Sequence, residues 1–335
     1  MIEKYYDGAI EQVAAGLGTV EKNHLLVRYS GQFSVENLND TKQLEKNEDI
    51  FVQVHEFETG EITCAYEPYL TMICDGFRRY MTGTFEEFME TCDVYYLHRP
   101  VLLGYFNQDN TGREEIILLD EVAYEQERML AALERMLCAI ADRHPVLFVL
   151  NRFQLASKST MQLTARFLKC ENCNIGLVLG VSDVQAMPEF LVPDWEMLYE
   201  TLDDGSKIYH IGNSGRKKEE TIDDEKYVDY GSEKVYRKLQ NMVEFLDFDQ
   251  AAYYLETIER KIKFDNLLVD DAARFRMWLL FVKVSILRQD IPKALEICED
   301  LEKIHLAGKE EECAYEQDYL CLLYTSPSPR DRSLS

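Results

Sequence analysis

The chain has 335 residues, 36 Lys and Arg against 61 Asp and Glu, a formal net charge of −25, and 46% hydrophobic residues. That length exceeds one average domain and suggests two, and 8 Pro and 16 Gly argue against long disordered or fibrous stretches. The acidity argues against nonspecific contact with nucleic acid or an anionic membrane, because both repel a polyanion, though a local basic site or a separate DNA-binding domain is compatible with it.

No apolar run approaches the roughly 18 residues needed to span a bilayer. The start, MIEKYYDGAIEQV, lacks the basic-then-apolar order of a signal peptide. The nine cysteines are scattered without a framework and read as buried thiols of a cytoplasmic protein.

In chain order, residues 24–29 form a short apolar strand ending at Ser30-Gly31, 38–46 a short helix, and 50–57 a second strand. Helical spacing follows over 69–80 and 85–96. Residues 116–143 carry a long amphipathic pattern, with Met129, Leu130, Leu133, Met136, Leu137 and Ile140 in one stripe. A third strand over 146–150, a helix over 159–169, a fourth strand over 174–181 and a fifth over 207–211 complete the series. Buried strands alternating with helices predict an α/β domain with a largely parallel sheet, here residues 1–211. Residues 212–231 are polar, charged and without apolar periodicity, and read as a linker.

From residue 232 only helices are expected, over 234–246 with 249–262 and over 272–288 with 292–306, and a third pair starting near Glu311. The turns are alike: Asp247-Phe248-Asp249-Gln250-Ala251 matches Asp290-Ile291-Pro292-Lys293-Ala294, with the alanines 43 residues apart. A small residue there lets neighbouring helices approach. The pattern over 232–320 resembles tetratricopeptide-type repeats with a period longer than the usual ~34 residues; an unrelated helical bundle is the alternative.

An α/β pattern invites a search for a phosphate loop, which needs glycines, a Lys and a Ser/Thr in the turn after a strand. The turn after the first strand reads Ser30-Gly31-Gln32-Phe33-Ser34-Val35-Glu36-Asn37-Leu38. Further on stand Cys64-Ala65-Tyr66-Glu67-Pro68-Tyr69 and the segment from His144-Pro145 through Asn151-Arg152 to Ser157. Together, residues 24–211 resemble the nucleotide-binding domain of AAA-like signal-transduction ATPases of the STAND type, which in bacteria often precede tetratricopeptide repeats. The resemblance implies a P-loop-NTPase-like parallel sheet followed by an all-α repeat domain.

The departures fall where chemistry should be. Gly31 keeps the first glycine. Glu36 stands where the second glycine belongs, Asn37 where the Lys belongs and Leu38 where the Ser/Thr belongs. At the third strand, Asn151 replaces the magnesium-associated Asp and Arg152 the acid that orients water. A carboxylate repels phosphates, Leu cannot bind magnesium, and Arg is no base at neutral pH. Five substitutions in one direction imply a catalytically inactive relative with no cofactor and no metal, weak ATP binding being compatible. The alternative is an active ATP-binding switch of the STAND type.

Other constellations carry less chemistry. Cys170-Glu171-Asn172-Cys173 is a lone pair of cysteines with no second pair for zinc. The histidines are scattered, and the acidic pairs Glu114-Glu115, Asp203-Asp204 and Asp223-Asp224 read as solvated. Tyr95-Tyr96 and Tyr253-Tyr254 read as packing residues. The tail from Cys321, CLLYTSPSPRDRSLS, resembles a translated sequencing adapter, the alternative being a Ser/Pro-rich natural tail. On the adapter reading, residues 321–335 are artefact, the natural protein runs on beyond Leu320, and an output domain is missing. The family implies a diguanylate cyclase or a LuxR-type DNA-binding domain there, and a cyclase would make the whole molecule an enzyme. The expected partner of the portion in hand is a protein or peptide on the repeats, with no nucleic acid and no membrane.

Overall fold

The computed structural model describes residues 2–19, 24–31, 33–46, 48–108, 122–170, 174–183, 187–203, 208–211, 229–265 and 267–304. Most of the linker, Cys173, Glu114, Glu115, Asp204, Asp223, Asp224, the helix expected near Glu311 and the 321–335 tail lie outside the described residues. The chain divides into two compact units, Met1–Val228 with Glu244–Asp247, and Asp229–Val243 with Phe248–Ser335.

The first unit is α/β. Its five strands are β1 (Leu25–Tyr29), β2 (Phe51–Glu56), β3 (Val146–Asn151), β4 (Ile175–Ser182) and β5 (Ile208–Ile211). All pair in parallel, in the order β2-β3-β4-β1-β5. β3 and β4 are buried along their whole length, as continuous apolar runs in the middle of a parallel sheet should be.

The order fixes which face each connection covers. The β1-to-β2 connection crosses the sheet in one direction, and the three later connections cross in the other. Right-handed crossovers therefore send the first to one face and the rest to the opposite face. On the first face, Val35 and Leu38 pack with Leu25, Val27 and Tyr29 of β1 and with Leu147 and Val149 of β3. On the other face, Tyr69 of α3 (Tyr69–Tyr80) meets Phe148 of β3 and Phe167 of α7 (Lys158–Lys169) edge-on. There α6 (Val122–Ala141) packs on α3 and α7, and α8 (Val192–Asp203) packs on α7. The apolar stripe read from the sequence, Met129 through Ile140, is buried in α6. Two shorter helices, α4 (Phe85–Thr91) and α5 (Arg99–Asn107), lie between α3 and α6 in sequence.

Among its described residues, the first connection contains only a 3-10 turn, Val35–Asn37, and the six-residue helix α2 (Asn39–Leu44). That is too little to cover its face. The N-terminal helix α1 (Ile2–Gly16), not anticipated from the sequence, covers the rest with Tyr6, Ala9, Ile10 and Val13. Their i, i+3, i+4, i+7 spacing makes one apolar stripe. Two glycines in β4 let α1 lie close. A β-carbon on Gly176 would sit 2.6 Å from Val13 Cγ1. One on Gly180 would collide with the Tyr6 hydroxyl and come within 2.6 Å of Asn151 Oδ1.

The second unit is helical: α9 (Glu233–Glu244), α10 (Phe248–Phe264), α11 (Asp271–Leu287) and α12 (Ile291–Leu301). α11 packs against both α10 and α12. It is apolar on nearly all sides, with Met277, Trp278, Phe281 and Val284 buried. Asp270 caps α11 by accepting from Ala272 and Ala273 N–H at 2.8 and 3.3 Å, and Asp290 caps α12 from Lys293 N–H at 3.2 Å. The matched alanines Ala251 and Ala294 are both buried. Glu259 of α10, also buried, accepts from Lys263 at 2.7 Å and from Lys293 of α12 at 2.8 Å. Among the described residues, no helix is long and apolar enough to cross a membrane.

The close approach of α1 to β4 has a measurable consequence. Gly180→Ala overpacks the α1 face and is expected to cost about 1–3 kcal/mol. Gly8→Ala, in α1 with nothing within 4 Å of the new methyl, is expected to gain about 0.5–1 kcal/mol from helix propensity. Urea denaturation of the two variants checks the opposite signs.

Candidate functional site

In an open parallel sheet, ligands bind beyond the carboxyl ends of the strands, where successive connections leave in opposite directions. Here that point lies between β1 and β4. The turn after β1, residues 30–38, borders it, and Asn151 ends β3 one strand beyond β4.

The turn does not stay open over this crevice; it folds across the strand ends. Gly31 takes a φ of 94°, a left-handed conformation that suits glycine, and its carbonyl accepts from Ser182 Oγ of β4 at 3.1 Å. Phe33 then reaches β3, where its carbonyl accepts from Asn151 Nδ2 at 3.1 Å. Tyr29, at the end of β1, donates its hydroxyl to Asn151 Oδ1 at 2.7 Å. Burial pushes the Tyr29 phenol up to about 12; Arg152 opposes this and Glu56 adds to it, so at neutral pH the group is a donor. Its donation to Oδ1 leaves Nδ2 to bind Phe33. Asn151 itself has no exposed surface.

The turn reaches β2 as well. Ser34 Oγ and Val35 N–H both donate to Glu56 Oε2, at 2.7 and 3.1 Å. The other oxygen of Glu56 faces Arg152 at 3.4 Å. Glu56 and Asn151 are register partners in neighbouring strands, which brings the two together. Hydrogen bonds to a charged group contribute about 1.5–3 kcal/mol each.

The remaining predicted positions have definite places. Glu36 is exposed, and its N–H is bound by Ser34 Oγ at 3.4 Å. Asn37 lies in the 3-10 turn. Leu38 is fully buried in the α1-face core, and its N–H is bound by Val35 O at 3.1 Å. Arg152 takes a left-handed φ of 52°. Gly31, Leu38, Asn151 and Arg152 therefore belong to one construction, while the Glu36 side chain points away to solvent. Ser30, Val35, Glu36 and Leu38 all have protein acceptors for their N–H groups. A phosphate cradle needs such groups aimed at the ligand.

Aromatic rings fill the rest. Phe33 sits 5.5 Å from the Tyr6 ring and 5.7 Å from the Tyr29 ring. Tyr6 is fully buried, and burial first, then Tyr29 and Glu56, raises its phenol well above the ordinary value. Its hydroxyl has no hydrogen-bond partner. Sequence reasoning missed Tyr6, Tyr29, Phe33, Ser34 and Glu56. A signal existed for Glu56 alone, an acid closing an otherwise apolar strand.

Elsewhere, His144 stacks on Tyr80 at 4.1 Å, and His98 bonds Glu125 at 2.8 Å. Among the described residues, no group of three His, Cys, Asp or Glu side chains gathers as metal ligands would. No protein-family model matches the chain, and no curated protein matches it.

Three variants test this network. Asn151→Asp sets a carboxylate oxygen against the Phe33 carbonyl and is expected to cost about 1–3 kcal/mol at pH 7. The buried acid would titrate above its unfolded value of about 3.9, so the deficit grows as pH rises through that range and shrinks in acid. Urea titrations at pH 4 and pH 7 check the sign. Separately, Tyr29→Phe leaves the buried Asn151 Oδ1 without its donor and costs about 1–3 kcal/mol. Tyr6→Phe removes a hydroxyl that has no partner and is neutral or stabilising; thermal denaturation of both variants separates the cases.

Proposed function

We propose that the first unit is a catalytically inactive relative of the STAND-type, AAA-like NTPases, and that the chain is the N-terminal sensor or scaffold part of a bacterial signal-transduction protein. The observation that carries the reading is the Asn151–Phe33 hydrogen bond of 3.1 Å. It brings together the two sequence segments that the resemblance assigns to phosphate and to magnesium. These segments lie more than a hundred residues apart, and a nucleotide site needs them within the span of one ligand. The strand order supports the reading too, because only β4 separates the two strands concerned.

The same contacts support inactivity. A phosphate entering the turn would displace Glu56 from Val35 N–H or lie beside it. Two unit charges 4 Å apart at an effective dielectric near 20 repel by about 4 kcal/mol, roughly a thousandfold in affinity before the offset from Arg152. Leu38 is turned into the core and offers no oxygen to magnesium. The domain then serves as a scaffold without nucleotide turnover. That unit, read as tetratricopeptide-like repeats, would take a protein or peptide partner. Signalling follows if the partner binds two arrangements of the molecule with different affinity. A cyclase or a LuxR-type DNA-binding domain is the output the resemblance suggests.

Calorimetric titration of the full chain with ATP and magnesium tests the reading. No magnesium-dependent heat is expected up to millimolar nucleotide. Micromolar, magnesium-dependent binding would establish the active-switch alternative instead.

A further inference from the structure

On the sheet face opposite α1, α6 and α7 run side by side. Arg166 of α7 reaches across to α6 and binds Glu134 and Glu127, each at 2.6 Å. One helical turn further along both helices, Cys138 of α6 and Cys170, which caps the end of α7, bring their sulfurs to 4.0 Å. Glu134–Arg166 and Cys138–Cys170 are each separated by 32 residues. The ion pairs and the thiols thus share one parallel register, and Arg166 holds the helices where the sulfurs meet. Sequence spacing pairs Cys170 with Cys173; the fold gives it a partner from another helix.

Both thiols are half-buried and within reach of a small oxidant. Cys74 and Cys92 differ: both are buried, and burial pushes their thiols up to about 11, which suppresses the reactive thiolate. A disulfide needs its sulfurs at about 2.05 Å, so the gap of 4.0 Å has to close by roughly 2 Å.

We propose that Cys138 and Cys170 are a redox modification site, joined by peroxide into a disulfide that fastens α6 to α7. One thiolate attacks a peroxide oxygen and expels hydroxide, giving a sulfenic acid. The second thiol attacks that sulfur, forms the S–S bond and expels water. Two electrons pass from the thiols to hydrogen peroxide, which leaves as two waters. Thiol–disulfide exchange with a small dithiol reverses the bond. Proximity selects the pair, because the two sulfurs already stand 4.0 Å apart.

The test treats the full chain with hydrogen peroxide, alkylates the remaining thiols, and maps peptides by mass spectrometry without reduction. The expected product is one intramolecular cross-link between the Cys138 and Cys170 peptides, lighter by about 2 Da and reversed by dithiothreitol. Cys138→Ser is expected to abolish it and Cys74→Ser to leave it. Arg166→Gln, which loosens the register, is expected to slow it several-fold. Recovery of both cysteines as separately alkylated or over-oxidised residues would overturn the proposal, as would any other partner for Cys170, Cys173 included. The map of the unmutated chain decides this even if a variant fails to fold.

Discussion

The side-chain amide of Asn151 is the joint on which the carboxyl end of the sheet depends. It is wholly buried, so its oxygen and its nitrogen both need partners, and an unmet polar atom there costs about 1–3 kcal/mol. Tyr29 supplies the donor and Phe33 the acceptor. The two bonds point opposite ways, which only a group with one donor end and one acceptor end can satisfy. A carboxylate at this position would serve Tyr29 and repel the Phe33 carbonyl. The neutral amide is therefore a structural requirement of the closed turn.

The rest of the α1 face follows from that closure and from strand order. Closing the turn leaves a short first crossover, and the short crossover leaves sheet uncovered. α1 supplies the missing apolar layer, and it comes close because β4 carries Gly176 and Gly180 where side chains would otherwise stand. Tyr6 then reaches Phe33, so the helix that covers the sheet also packs against the turn. The partnerless Tyr6 hydroxyl marks where this packing was achieved at the expense of polar satisfaction.

The strands and most helices were legible because they depend on local pattern. Residues 146–150 and 174–181 read as buried strands from composition alone, and the stripe from Met129 to Ile140 read as a helix from its period. α1 was missed although its stripe is regular. Tyr6, Ala9, Ile10 and Val13 are set among charged and small residues, and the need for a helix there arises only once the first crossover proves short. The site was half legible. The expectation of a departure from a phosphate loop rests on the resemblance and on Glu36, Asn37, Leu38, Asn151 and Arg152 taken one residue at a time. The contacts that close the turn cannot be read from sequence, because Glu56 meets it from the far edge of the sheet, three strands away from β1.

The way each departure is accommodated bears on what the domain does. A turn that had lost its ligand without compensation would leave N–H groups facing an empty crevice, and such groups are costly when buried. Here Val35 N–H has Glu56, Leu38 N–H has Val35, and the buried Asn151 amide is bonded on both sides. These contacts are all made by the protein to itself. A phosphate entering the turn, on the proposed reading, has to displace Glu56 from Val35 N–H or sit against its charge. Under the proposed reading this makes the first unit a fixed part of the signalling molecule, in which a change of state has to come from the helical unit and its partner and not from nucleotide turnover.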